Sequence, residues 1–284
     1  MSIVVTGATG HLGGHVMEQL LEKVPADRVT AIVRNREKAS GLAARGVRIA
    51  VADYNTPETF DGAFSAGDKV LLISSSEMGR DRVAQHRAAL DAARAAGVAL
   101  LAYTSAPGSL TAALADDHRG TEEAIVASGL PYVLLRNNFY HEVYTEQLTP
   151  VLEHGAVVQA AGEGRLATAA RADYAAAAVA VLTGEGHENA TYELSGDTAW
   201  SFAEYAAELS RQTGRRIPYT PVPADVYTGI LTGVGMPEPL AVVFAGVDTA
   251  IERGELAVTT GDLSRLTGRP TTPIADAIAA ALKD

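Results

Sequence analysis

Glycines at positions 7, 10 and 13 punctuate the run Val4-Val5-Thr6-Gly7-Ala8-Thr9-Gly10-His11-Leu12-Gly13. Coming straight after an apolar, β-branched stretch, this spacing reads as strand, tight turn and helix start. Glycine permits the turn and lets the backbone approach a diphosphate, while the helix N-terminus supplies amide donors and a favourable dipole. Gly7, Thr9, Gly10, His11, Leu12 and Gly13 are therefore expected to hold the pyrophosphate of a dinucleotide. Three glycines alone say little, and the motif draws its weight from standing on the first strand of an alternating α/β pattern.

The end of the second predicted strand is the next informative position. NAD enzymes place a carboxylate there, against the ribose hydroxyls. Here the residue is Arg34. A guanidinium suits a 2′-phosphate, with a charge-assisted bond worth ~1.5 to 3 kcal/mol, so NADPH is the expected cofactor. Lys38, one turn on, is expected to assist. The plainer alternative is an arginine that merely solvates a strand end. Asp53 follows the third strand, where it either accepts the adenine amino group or closes an Asx turn. Ser74, Ser75 and Ser76 end the fourth, as small polar groups along the cofactor or as simple turn composition.

The elements that must position these residues are read from periodicity. Strands are expected at Ile3 to Thr6, Arg28 to Arg34, Val47 to Ala52, Lys69 to Ser74, Val98 to Ser105 and Tyr132 to Arg136. Helical spacing of apolar residues fills the gaps, as in Val16, Leu20 and Leu21 or Val83, Leu90 and Ala93. The alternation predicts an α/β fold, a Rossmann-type doubly wound parallel sheet spanning residues 1–150. After about residue 150 glycine, proline and isolated helical stretches dominate, which predicts a smaller α/β C-terminal substrate domain over 151–284. Residues 165–183 are expected to pack back on the first domain, with Asp173 as the N-cap of their helix.

Composition narrows the function classes. A chain of 284 residues with a net charge of −11 and no basic run does not suit a nucleic-acid partner. It holds no cysteine, which excludes disulfides, zinc thiolates and thiol nucleophiles. Neither a leader nor a membrane span is read, the alanine-rich Ala175 to Leu182 being helix-sized core, and the cytoplasm is the default location. His11 and His15 have a helical metal-binding spacing but no third ligand, so no metal is expected. Assembly state is open, a homodimer included.

These residues resemble the NmrA-like atypical short-chain dehydrogenase/reductases. The opening Thr6 to Gly13, the segment Ala31-Ile32-Val33-Arg34-Asn35, the run Leu71-Leu72-Ile73-Ser74-Ser75-Ser76-Glu77 and Leu134-Leu135-Arg136-Asn137 together look like the NADPH:quinone oxidoreductase branch, with the triphenylmethane reductases nearly as close. The likeness extends through Tyr192 to Asp197 and Leu266 to Pro270. One departure from the wider superfamily matters: none of the tyrosines has a lysine four residues on. The acid-base pair of ordinary short-chain dehydrogenases is therefore absent. A quinone accepts hydride readily and leaves an anion that solvent can protonate, so the protein need only align the reactants.

On the helix where that pair would sit, His118 and Glu122 stand one turn apart on one face. His118 is the candidate to orient a carbonyl or deliver a proton, with Glu122 holding its other nitrogen, and a solvated histidine is the bland alternative. Ser105, after Tyr103 and Thr104 at the end of the fifth strand, is a second candidate. The resemblance puts Asn137, Asn138, Phe139 and Tyr140 beside the nicotinamide and substrate. There Asn137 could bond the carboxamide and the two rings could face a flat acceptor, with Tyr144 and Phe244 as further pocket aromatics. The expected activity is hydride transfer from NADPH to a quinone or similar planar conjugated acceptor held between the two domains. A triphenylmethane-dye-type reductase is one alternative. The rival of another class is an NADP(H)-binding redox sensor that regulates a partner without turnover.

Overall fold

The apolar runs that open the chain become strands because neither of their faces meets water. All four residues of β1 (Ile3–Thr6) and all five of β2 (Val29–Val33) are buried, the mark of a parallel sheet covered on both sides. The computed structural model describes residues 2–77, 79–146 and 148–283. It continues with β3 (Arg48–Val51), β4 (Lys69–Leu72), β5 (Leu100–Ser105) and β6 (Tyr132–Asn137). Every pairing among these six strands is parallel, and Ile3 has Val29 on one side and Lys69 on the other. The order β3-β2-β1-β4-β5-β6 reverses direction between β1 and β4. At such a switch point the carboxyl ends of the strands leave a crevice for a dinucleotide.

A seventh strand, Ala190–Leu194, lies beside β6, which the sequence reading did not anticipate. Only Leu194 of its five residues is fully buried, so neither a continuous apolar run nor a clean alternation marks it.

Helices cover the sheet where their apolar stripes face it. In α1 (His11–Lys23) Leu12, Val16, Met17 and Leu20 are buried. A short α2 (Ser40–Ala44) precedes β3. The longer α3 (Arg82–Ala96) is capped by Asp81, whose carboxylate accepts the Ala84 amide at 2.9 Å, and ends at Gly97 in the left-handed region with φ 69°. Between β5 and β6 lies α4 (Asp116–Ser128). The helix Arg171–Thr183 packs on α1, where Gln19 Nε2 donates to the Ala172 carbonyl at 2.9 Å. Asp173 is not its N-cap, because the helix starts two residues earlier and Asp173 sits within the first turn. A carboxylate there still complements the helix dipole.

The chain divides into two compact units. The first comprises Met1–Ala106, Asp117–Asn137 and Arg171–Tyr192; the second comprises Pro107–Asp116, Asn138–Ala170 and Glu193–Asp284. The second unit is mostly helical, with Arg165–Leu166 antiparallel to Trp200–Ser201 and Val157–Gln159 parallel to Tyr219–Pro221. Its helix Phe202–Thr213 opens with a capping box between Ser201 and Glu204. Trp200 anchors an aromatic cluster, stacked on Tyr205 and edge-on to Tyr144 and Phe202. Its indole N–H donates to Thr168 Oγ1 at 2.8 Å, and the buried His141 links that hydroxyl to the Thr272 carbonyl. No described helix is long and apolar enough to cross a membrane.

Candidate active site

The glycine turn is built by a left-handed backbone at Gly7 and by a backbone contact that leaves no room for a side chain at Gly13. Gly7 has φ +60°, and its carbonyl accepts the Gly10 amide at 2.9 Å. A Cβ on Gly13 would lie 2.2 Å from the Gly7 carbonyl oxygen, so helix and turn touch backbone to backbone. The N-cap Gly10 carries no capping side chain and the first turn of α1 holds no acid. The first amides of the helix thus point outward with no side-chain acceptor. Thr9, Gly10 and His11 are exposed and Leu12 and Gly13 buried. A cradle of free amides with positive dipole and no acid fits a diphosphate.

Above β2 and β3, Arg34 does not stand alone. Its Nη1 donates to Glu77 Oε1 at 2.6 Å. Glu77 Oε2 receives Asn55 Nδ2 and Gln85 Nε2, each at 3.0 Å. Asp53 Oδ1 accepts the Asn55 amide at 2.9 Å, the geometry of an Asx turn. Lys38 is exposed in the short 3-10 turn Glu37–Ala39.

The serines after β4 are pinned by backbone as well as side chain. The Ser74 amide donates to Thr104 Oγ1 at 2.9 Å, and the Ser75 amide donates to His86 Nε2 at 2.8 Å. Arg82 Nε donates to the Ser75 carbonyl at 2.8 Å. Ser76 is exposed.

Behind this loop lies a chain of rings whose proton positions follow from its two ends. The Ser75 amide can only donate, so His86 Nε2 is bare and Nδ1 carries the proton, 2.9 Å from Thr121 Oγ1. Arg82 can likewise only donate, and its Nη2 lies 3.1 Å from His118 Nε2. His118 Nδ1 is therefore the donor to the Tyr103 hydroxyl at 3.0 Å. That hydroxyl is also 3.4 Å from His86 Nδ1. Burial, then the Arg82 charge, then His86 hold the His118 pKa down to about 3; burial, followed by Arg82, does the same for His86. Both rings are neutral across the physiological range.

Glu122 does not hold His118. It accepts the Ser105 hydroxyl at 2.6 Å and a two-pronged Arg136 guanidinium, Nε at 2.9 Å and Nη2 at 2.6 Å. The spacing that suggested a His118–Glu122 pair is real, but a bidentate arginine outcompetes a neutral imidazole for a buried carboxylate. His118 is not the solvated residue of the bland reading either. The Ser105 proton is committed to the carboxylate.

Asn137 ends β6 buried, and its Oδ1 has no hydrogen-bond partner among the described residues. In the second unit, Asn138 donates to the Leu256 carbonyl and accepts the Phe139 amide. Tyr140 is partly buried and bridges to Ala169. Tyr144 serves the aromatic cluster around Trp200. The same unit holds a cavity of about 210 Å³, lined in part by Pro107, Asn138, Ser195 and Thr260, where the buried Ser195 Oγ has no partner. Sequence reasoning missed Glu77, Arg82, His86 and Ser195. Only Glu77 and Ser195 lay in quoted motifs, and neither motif says what its side chain touches.

Comparison with known proteins agrees with this geometry. Residues 7–185 match a family model described as NAD(P)H-binding. The chain is 44% identical to quinone oxidoreductase 2 of Escherichia coli, over 97% of each chain. The structure of the NADPH-dependent quinone oxidoreductase from that organism, complexed with NADPH, superposes with a TM-score of 0.95 over 99% of both chains. Triphenylmethane reductase from Citrobacter sp. matches at 41% identity and a TM-score of 0.94 over the full length of both. An NAD(P)H azoreductase of Xenophilus azovorans is 31% identical over 96% of each chain. With its glycine cradle, its sheet order and these relatives, the chain belongs to the NAD(P)H-binding family.

Proposed function

We propose that the chain is an NADPH-dependent oxidoreductase that transfers hydride to a quinone or a similarly planar, conjugated acceptor. The observation that carries this reading is that neither His118 nor Ser105 has a proton to give. His118 is neutral, with one nitrogen accepting from Arg82 and the other donating to Tyr103, and Ser105 donates to Glu122. A simple ketone needs a proton delivered as the alkoxide forms, whereas a quinone takes two electrons with the hydride and leaves an anion that water protonates. Bound NADPH supplies that hydride.

The chain's own contribution is then placement. The glycine cradle holds the diphosphate and Arg34 the ribose end. Asn137, whose buried carbonyl oxygen has no partner among the described residues, accepts from the carboxamide. Gly7, Thr9, Gly10, His11, Leu12 and Gly13 belong to this contact surface, with Ser74, Ser75 and Ser76 along its flank. Phe139 and Tyr140, in the loop after β6, are the rings proposed to face the acceptor. The relatives named for quinones, triphenylmethane dyes and azo compounds share flat conjugation in what they reduce. A cationic dye is a second reading, favoured by the full-length likeness to triphenylmethane reductase, since it takes hydride with no proton at all. A cytoplasmic setting is part of the proposal.

The test is NADPH absorbance followed across a panel of benzoquinones, naphthoquinones and triarylmethane dyes. Oxidation dependent on at least one acceptor is expected. Silence with every acceptor, despite measurable NADPH binding, would overturn the reading in favour of a redox sensor.

A further inference from the structure

Where the sequence displays a lone cation, the structure holds an ion pair. Glu77 arrives from the loop after β4, on the far side of β1 from Arg34, and its Oε1 lies 2.6 Å from Arg34 Nη1. Asn55 and Gln85 grip its other oxygen at 3.0 Å, and Gln85 Nε2 also donates to Asn55 Oδ1 at 2.9 Å. The carboxylate is thus held by residues after β2, after β3 and on α3. The hydrogen bond from Asn55 leads the causes that lower its pKa, joined by Gln85 and by the charges of Arg34 and Arg80, against partial burial. It is charged at neutral pH. The Arg34 side chain is 67% exposed and that of Glu77 32%, so the arginine is the freer partner.

The two groups select opposite ligands. A guanidinium fits a ribose 2′-phosphate, and a carboxylate fits the ribose hydroxyls of a cofactor lacking that phosphate. One hydrogen bond separates them, so a ribose that reaches Arg34 also meets Glu77. We propose that Glu77 is a specificity-determining residue, with Arg34 taking the 2′-phosphate of NADPH and Glu77 opposing that phosphate and accepting the ribose hydroxyls of NADH. The proposal rests on the reading of Arg34 as the phosphate contact.

Its physical basis is competition for one cation. The phosphate must draw Arg34 against the pull of Glu77, and it brings its own negative charge within a few ångströms of a carboxylate that Asn55 and Gln85 hold in place. Like charges at that range repel appreciably even in a high-dielectric setting. NADH carries no such charge and finds an acceptor already oriented. Since the exposed pair is itself weak, either cofactor can open it. The preference for NADPH is consequently narrower than Arg34 alone would give, and the chain binds both cofactors.

The experiment titrates the cofactor-free protein with NADPH and with NADH separately, by calorimetry at low ionic strength, for the parent chain, Glu77→Gln, Arg34→Ala and the double variant. Glu77→Gln is expected to tighten NADPH about 3-fold to 10-fold and to weaken NADH, so that the two affinities move in opposite directions. Arg34→Ala is expected to cut the NADPH-over-NADH preference by about 10-fold or more. In the double variant the Glu77 effect on NADPH should shrink, because the cation in dispute is gone. If Glu77→Gln weakens NADPH, or moves both cofactors together, Glu77 only positions Arg34 and the proposal fails while the Arg34 reading stands. If Arg34→Ala leaves the preference unchanged, that reading falls and the proposal with it.

Discussion

Polar side chains line the carboxyl edge of the sheet in two places, and they are organised in opposite ways. Behind β4 and β5, Arg82, His86, Tyr103 and His118 are interlocked, with tautomers dictated from both ends. Above β2 and β3, Arg34 and Glu77 form a pair largely open to water. An unpaired buried polar group costs about 1 to 3 kcal/mol, so the first network can only be kept whole or lost. An exposed ion pair is worth about 0 to 1 kcal/mol and can be exchanged for a ligand. Burial makes scaffolding of polar residues, and exposure makes them available for recognition.

Acid should separate the two most strongly. His86 and His118 titrate near 3 in the fold against the ordinary 6.5. Below about pH 6.5 the unfolded chain binds protons that the folded rings refuse, so the stability these two rings contribute is complete above that pH and declines as pH falls toward 3. The slope is up to about 1.4 kcal/mol per pH unit for each histidine. Between pH 7 and pH 5 the two rings together should cost the fold on the order of 4 kcal/mol in urea unfolding, offset by about 2 kcal/mol from Asp248, whose burial raises its carboxyl to about 7 and which therefore favours the fold as pH falls through that value. In Asp248→Asn, which removes the opposing titration, equal stability at the two values would show that the rings are not locked neutral.

Arg136→Ala comes next. It strands the Glu122 carboxylate, which is 8% exposed, with the Ser105 hydroxyl as its remaining partner of those described above. Removing one member of a buried pair should cost about 3 kcal/mol, measured by urea unfolding at pH 7. Adding Glu122→Gln should recover part of it, and a single variant as stable as the parent would remove the distinction drawn between the two regions. The smallest effect belongs to the exposed pair. Arg34→Ala should change unfolding free energy by less than about 1 kcal/mol. A larger loss would mean that Arg34 is scaffolding after all.

Legibility in the sequence followed the same division. Five of the six strands and the glycine turn rest on burial on both faces and spacing along one segment, and the exposed edge strand β3 on the alternation of Val47, Ile49 and Val51, so local pattern suffices for those. The seventh strand escaped because a half-exposed edge strand carries no clear pattern. Glu77 escaped for another reason. It meets Arg34 across 43 residues of chain only because β4 crosses to the other side of β1, so sequence distance says nothing of the contact. The spacing of His118 and Glu122 was plain, but their partners come from Arg82, Tyr103, Ser105 and Arg136 on other elements. A helical repeat shows which residues share a face and leaves open what that face meets. Asp173 was misplaced by three residues, because an acid is favoured within the first turn of a helix as well as at its N-cap.

The 2.2 Å approach that a Cβ on Gly13 would make to the Gly7 carbonyl also governs how binding and folding can be separated by mutation. A substitution there pushes α1 off the strand that carries it, so damage to the cofactor cradle and damage to the architecture arrive together. A side chain at that position therefore cannot be used to change cofactor preference alone, which leaves the exposed Arg34 and Glu77 as the positions where such a change can be sought. Anyone seeking to alter cofactor preference without unfolding the chain should likewise leave the turn intact and work at the outer pair proposed above.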